Sequence, residues 1–341
     1  MQGVSVIICC YNSSLRLPET LKHLALQKVV TAIDWEVIIV NNASTDTTVE
    51  VASDCWERYK APVPLRIVDE TTPGLSNARE KGFTVAQFEY LLFCDDDNWL
   101  CDSYIETVYQ VMSTNPGIGA LGGWGMPHCE TQPPDWFTDF LGVYATGPQA
   151  GVSGEITFTY HVYGAGTTYR KSAVQHLKQQ GFRYLLTGRN GTQLSVGEDH
   201  ELCYALFLAG CQIWYDEKLR FYHFIPQNRL TLQYIRDNHI GVARANLILT
   251  SYKLVIQNRL RQRNTFKNTW QWLLLMNGML FLRNHVRHIS VYLMGKKADF
   301  RYYQILLAIE TMKDLLLRRN QLSGLIGTIS TSPWIIRREA E

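Results

Sequence analysis

The chain has 341 residues, 46 % apolar and 19 % charged, a balance that supports one large or two ordinary packed domains and excludes a disordered chain. Net charge is +2, yet residues 251–320 hold thirteen Lys/Arg against three Asp/Glu, so the preceding region is correspondingly acidic. The eight cysteines form no CxxC pair, the chain enters a β-pattern at Val4, and no run of about 18 uncharged apolar residues occurs. A reducing, cytoplasmic setting is therefore expected, with no leader and no spanning helix.

The apolar run Val4–Tyr11 predicts a first strand, and the spacing of Leu17, Leu21, Leu24 and Ala25 predicts a helix over 15–27. Trp35–Asn42 is a second apolar run, followed by a turn and helix-cap signal at Ala43-Ser44-Thr45-Asp46. Leu65–Asp69 predicts a third strand and Leu75–Gln87 a helix, after which Tyr90–Cys94 predicts a fourth strand and Asp102 or Ser103 caps a helix reaching about Ser113. Strand–helix alternation with short links predicts an α/β fold with a doubly wound, mostly parallel sheet. From Gly117 the texture changes. Gly122-Gly123-Trp124-Gly125 and Pro133-Pro134 read as loop, Glu155–Tyr163 as a strand, Lys171–Gln180 and Glu198–Leu208 as helices, and Cys211–Tyr215 and Arg220–Ile225 as two strands. After Leu230 the pattern is helical almost throughout.

Three constellations carry chemistry. Asp95-Asp96-Asp97 ends the fourth predicted strand. Three adjacent carboxylates repel one another, and a divalent cation carrying phosphate oxygens relieves that repulsion; a solvated acidic turn is the plain alternative. A calcium loop fails because Trp99 stands where a ligand is needed and Leu100 where the sharp turn needs Gly. An Asp nucleophile of the phosphatase kind leaves the three strand–helix units before it unexplained. A metal-bridged nucleoside diphosphate fits best. Gly197-Glu198-Asp199-His200-Glu201 opens a helix, where its dipole alone would favour acids, and one of Glu198 and Asp199 is a candidate general base. Arg220-Phe221-Tyr222-His223 ends on a histidine that is either a metal ligand or a structural ring. The nine histidines form no HxxxH or HExxH pattern, so zinc is not expected.

Taken in order, these pieces resemble glycosyltransferase family 2, the inverting nucleotide-sugar enzymes of GT-A fold. Val4–Asn12 is similar to that family's opening strand and nucleobase loop, and Trp35–Asp46 to its second strand and turn. Gly74-Leu75-Ser76-Asn77-Ala78-Arg79 resembles the segment whose arginine faces the nucleotide, and Tyr90–Asn98 the strand ending in the DxD motif. Gly164-Ala165-Gly166 resembles the acceptor-side loop, and Gly197-Glu198-Asp199 the catalytic ED motif. The resemblance spans residues 4 to about 230. It implies a catalytic domain over 1–229, with a nucleotide-sugar half to about 115 and an acceptor half over 116–229, and a basic helical extension over 230–341. It implies Asp97 as principal metal ligand with Asp95 and His223, and Mn²⁺ or Mg²⁺ as the ion. Asp95 and Asp96 would hold the metal's waters or the ribose, Cys9, Tyr11, Asn42 and Arg79 would line the nucleotide, and Asp199 would be the base. Asn41 and Asn42 stand where the family usually has Asp, and Cys9 where it has Thr or Pro, which leaves the nucleobase open.

The expected activity is metal-dependent inverting transfer of a hexose from a nucleotide sugar to a hydroxyl of a glycan or lipid-linked acceptor, in cell-surface polysaccharide synthesis. The alternatives are a silent GT-A scaffold that binds a membrane or partner through its tail, and a nucleotidyltransferase. The latter lacks its glycine-rich basic loop, since Asn12-Ser13-Ser14-Leu15-Arg16 supplies neither glycine nor lysine. The tail mixes Trp270, Trp272, Leu273, Leu274, Leu275, Met279 and Phe281 with Arg283, Arg287, Lys296 and Lys297. That pattern fits a helix lying on an anionic inner membrane face, packing on the core, or forming a homodimer; nucleic acid is not an expected partner.

Overall fold

The computed structural model describes residues 1–60, 62–186, 196–261 and 269–336. Its first half follows the predicted alternation closely. Strand β1 (Val4–Cys10) leads to helix α1 (Leu17–Ala25), β2 (Trp35–Asn42) to α2 (Thr48–Arg58), and β3 (Leu65–Glu70) to α3 (Leu75–Val85). Then come β4 (Tyr90–Phe93), a short β5 (Asn98–Leu100) and α4 (Tyr104–Thr114). Asp46 supports the start of α2, accepting from the Thr48 N–H at 3.1 Å. The second half holds β6 (Ile118–Cys129), a 3₁₀ segment at Phe137–Tyr144, β7 (Gly154–Glu155), β8 (Thr168–Arg170), α5 (Lys171–Gln179), α6 (Glu198–Leu208) and β9 (Gln212–Ile225). Helices α7 (Leu232–Arg261), α8 (Trp270–Asn284), α9 (Ile289–Leu293), α10 (Phe300–Leu317) and α11 (Leu322–Ser330) follow.

Among the described residues one nine-stranded sheet runs in the order β3-β2-β1-β4-β8-β6-β9-β5, with β7 paired to β9. Strands β1 to β4 are mutually parallel, and β6 pairs parallel with β9, while β8, β5 and β7 run antiparallel to their neighbours. The expected mostly parallel GT-A sheet is thus present. Its alternation sorts side chains to two cores, as the twofold period of a strand demands. Val4, Val6, Ile8, Val37, Ile39, Tyr90 and Leu92 pack with α1, α2 and α4 on one face. Ile7, Ile38, Val40, Leu91 and Phe93 pack with α3, α5, α6 and α7 on the other. Both faces are covered, which is why the strands read as unbroken apolar runs.

Three expectations for the second half need correction. The glycine-rich segment 122–125 is not loop but the middle of the 12-residue strand β6. A methyl at Gly123 would overlap the Leu219 carbonyl, and one at Gly125 would reach within 3.0 Å of the Phe221 ring, so glycine here serves close strand approach rather than flexibility. Residues 155–163 form no strand beyond Gly154–Glu155. The two strands expected over 211–225 are one 14-residue strand, β9, whose pairing with β6 shifts register between Tyr215 and Arg220, so that residues 216–219 bulge out of the ladder without ending the strand.

The helical extension packs on the sheet and its helices. Ala245, Ile248, Leu249, Tyr252, Val255 and Ile256 of α7 share a buried cluster with α6 side chains, and Ile329 and Trp334 close it. Helix α10 supplies Tyr303 and Leu306 to a further cluster with Phe137, Phe140, Tyr144, Ile225 and Ile235. No helix among the described residues is long and apolar enough to cross a membrane.

Candidate active site

The carboxyl ends of β1, β2 and β4 open into a cavity of about 580 Å³, where ligands sit in open α/β sheets. All nine site residues expected from the sequence line it: Cys9, Tyr11, Asn42, Arg79, Asp95, Asp96, Asp97, Asp199 and His223. Residues far apart in the chain are thus brought to one wall.

The acidic triplet forms a tight turn between β4 and β5. Asp95 N–H donates to the Asn98 side chain at 3.2 Å and Asp95 carbonyl accepts from Asn98 N–H at 3.1 Å. The three carboxylates have different surroundings. Asp96 is buried and accepts from the Ser13 hydroxyl and from Arg16 at 2.6 Å. Burial and the charge of Asp97 still push its carboxyl above the ordinary range. Asp97 is 4 % exposed, with His223 Nε2 at 3.5 Å from one oxygen and Arg229 at 3.3 Å from the other. Burial opposes its ionisation, but His223, Arg229 and Arg16 outweigh burial and hold it down to about 2. Strand pairing explains the contact: β5 runs antiparallel to β9 with Asn98 opposite His223, so the imidazole arrives beside the residue preceding Asn98.

His223 meets the Tyr144 carbonyl through Nδ1 at 2.7 Å, which places the proton on Nδ1 and turns Nε2 toward Asp97. A ring held by a backbone carbonyl on one nitrogen and facing a carboxylate with the other suits either an imidazolium–carboxylate pair or a shared cation. Burial disfavours the charged ring, yet Asp97 raises its pKa above the ordinary value. Among the described residues no group of three or more His, Cys, Asp or Glu side chains is placed to hold a metal. Asp97 and His223 Nε2, with Asp95 on the same turn, are the protein groups that could contribute to holding a divalent ion.

At the end of β2, Asn42 uses its amide to shape the next loop. It donates to the Glu70 and Thr72 carbonyls at 3.1 and 2.7 Å and accepts from Gly74 N–H at 2.8 Å. Gly74 has φ +134, a backbone state that favours glycine, and it caps α3, which carries Arg79 into the cavity. Arg79 lies 3.4 Å from Glu198 and 5.9 Å over the Phe93 ring. Burial opposes its charge, but Glu198 and Asp95 keep it firmly cationic. Tyr11 is exposed at the mouth, and Cys9 lines the wall with its thiol pushed up to about 12 by burial, so it presents a neutral S–H.

Asp199 opens α6 behind Gly197, whose φ of +100 turns the chain into the helix. One Asp199 oxygen accepts the Gly164 N–H at 2.7 Å and the other accepts its neighbour's His200 N–H at 2.9 Å. Burial raises its pKa, but His200, Arg79 and these donors outweigh burial, so it is ionised at neutral pH. A methyl on Gly164 would sit 3.1 Å from the Asp199 carboxylate and 3.3 Å from Arg79, so a side chain here would crowd both. Glu198 turns to Arg79 instead, which separates the roles of the two acids.

Several lining residues were not singled out from the sequence. Arg16 and Arg229 are the cations on Asp96 and Asp97. Tyr144 ends the 3₁₀ segment Phe137–Tyr144, and Tyr163 ends the stretch expected to be a strand. Tyr234, Asn238, Val242, Ala245 and Leu249 form one stripe of α7 at helical spacing, and this mixed polar and apolar stripe was the available signal.

With the geometry in view, comparison with known proteins places the chain. The profile described as Glycosyl transferase family 2 matches residues 5–184, more than half of the sequence, and the chain belongs to this family. A poly-beta-1,6-N-acetyl-D-glucosamine synthase of Staphylococcus epidermidis is 26 % identical over 235 residues, covering 67 % of this chain and 51 % of that protein. A poly(ribitol-phosphate) beta-glucosyltransferase of Bacillus spizizenii is 28 % identical over 215 residues, covering 57 % of this chain and 33 % of that one. The chain thus spans about half or less of these curated relatives. Among solved structures, S. aureus TarS matches with a TM-score of 0.51 at 17 % identity, over 93 % of this chain and 55 % of TarS, which shows a shared fold.

Proposed function

We propose that the chain transfers a sugar from a nucleoside diphosphate donor to an acceptor hydroxyl with inversion. The observation that carries this is the single cavity that holds an acidic turn flanked by Arg16, Arg229 and His223 together with an ionised, doubly oriented Asp199. The acceptor oxygen attacks the anomeric carbon, its proton passes to Asp199, and the bond from that carbon to the diphosphate oxygen breaks with its electron pair. One displacement inverts the centre. Arg16 and Arg229 add positive charge on the diphosphate side, where negative charge grows in the transition state. Mn²⁺ or Mg²⁺, held by Asp97 and His223 with Asp95 nearby, would supply Lewis-acid neutralisation of that diphosphate.

Cell-surface polysaccharide synthesis, with a glycan or lipid-linked hydroxyl as acceptor, is the setting the relatives favour. Two TarS structures hold UDP and UDP-GlcNAc, so uridine diphosphate sugars are the first donors to test. Titration with nucleotide sugars, with and without Mn²⁺, is expected to raise the melting temperature in a chelator-sensitive way. No stabilisation by any nucleotide sugar, or pyrophosphate release from a nucleoside triphosphate, would overturn the proposal.

A further inference from the structure

Helix α8 is apolar at ten of its fifteen positions, yet none of its residues is buried. Leu275, Met279 and Leu282 are 54 %, 54 % and 60 % exposed, and Val286 just beyond the helix is 49 % exposed. Residues spaced by four, three and four share one helix face. Leu293 and Met294, at the end of α9, are likewise 76 % and 68 % exposed. A row of large aliphatic side chains left in water has no role in a packed core, and contiguous exposed apolar surface marks an interaction site.

The charge of the segment chooses the partner. Residues 270–298 contain Arg283, Arg287, Lys296 and Lys297 and no Asp or Glu, and all four cations are exposed. A second copy packed face to face would bring together two patches that carry cations and no acids within 270–298, which like-charge repulsion disfavours. A spanning helix is ruled out for this segment by its length and polarity. An aliphatic stripe rimmed by Lys and Arg matches the interface of a bilayer, with side chains in the acyl boundary and cations at anionic headgroups.

We infer that α8, the turn after it and the end of α9 form a docking surface for an anionic lipid bilayer. No α8 residue lines the catalytic cavity, so the inference stands apart from glycosyl transfer and either can fail alone. The test is co-sedimentation of the full chain with phosphatidylglycerol-containing and with pure phosphatidylcholine vesicles, at low and high salt. Binding to anionic vesicles that falls several-fold in about 0.5 M salt is expected, because screening weakens the headgroup attraction. The variant Leu275→Gln, Met279→Gln, Leu282→Gln should lose at least about tenfold in bound fraction. The variant Lys296→Gln, Lys297→Gln should lose the preference for anionic vesicles while keeping its thermal melt. No binding at low salt, equal binding by wild type and the leucine variant, or a chain dimer that the leucine variant dissolves in place of vesicle binding would each overturn the inference.

Discussion

The two halves of the catalytic sheet build the cavity in different ways. In residues 1–115 most of the lining groups stand at strand ends, so Cys9, Asn42 and Asp95-Asp96-Asp97 reach the cavity because β1, β2 and β4 are parallel, while Arg79 comes from α3. In residues 116–229 the groups arrive by pairing and packing. His223 is placed by its register opposite Asn98, Asp199 by the Gly164 N–H, and the far wall by a stripe of α7. The lesson is that the first half of the cavity is built locally at strand ends, whereas the second half depends on contacts between distant segments.

That contrast is open to attack at its strongest point first. Asp97 is where the two halves meet, since its carboxylate touches His223 and Arg229 from the second half. Asp97→Ala is expected to lower kcat/KM at least about 10³-fold, because it removes the proposed ion-binding oxygen and leaves buried His223 and partly buried Arg229 without their shared carboxylate. Donor titration should show weakened binding, not only slower turnover. If Asp97→Ala kept donor affinity and lost only turnover, the donor-side assignment would be wrong.

A smaller effect should appear in stability. Glu201 is fully buried on α6, accepting from Leu185 and Leu186 N–H at 2.9 Å each and from the Tyr252 hydroxyl of α7 at 3.0 Å. Burial outweighs these donors and raises its carboxyl from 4.5 to about 7. The folded state therefore holds a proton that the unfolded state releases above pH 4.5, so this group lowers stability as pH rises from about 4.5 to about 7, with no further change above. The loss is at most about 3.5 kcal/mol, from roughly 1.4 kcal/mol per pH unit. Denaturant melts at pH 5 and pH 7.5 should show this slope in wild type and not in Glu201→Gln. Parallel curves for the two proteins would mean that α7 is not tied to the acceptor side through this carboxyl.

The same contrast explains what the sequence disclosed. Unbroken apolar runs such as residues 37–40 and 90–94 announce a strand covered on both faces, and a carboxylate cluster at the end of such a run announces its site. The acceptor side lacked such signals. Gly122-Gly123-Trp124-Gly125 reads as a break because close strand approach uses the same residue as a turn, and only the Leu219 carbonyl opposite reveals which applies. Arg229 lies beyond a strand in a short 3₁₀ segment, where nothing local marks its approach to Asp97. The α7 stripe from Tyr234 to Leu249 was present as periodicity but looked like one more core face.

The central claim is that Asp199 takes the acceptor proton while the acidic turn holds the donor. Single-turnover transfer by Asp199→Asn at saturating donor, using the acceptor that wild type accepts, tests it most directly. The expected result is a rate lowered by about 10²–10⁴-fold with donor affinity unchanged, the usual size of general-base catalysis. Transfer at the wild-type rate, or an equal loss of donor affinity, would contradict it.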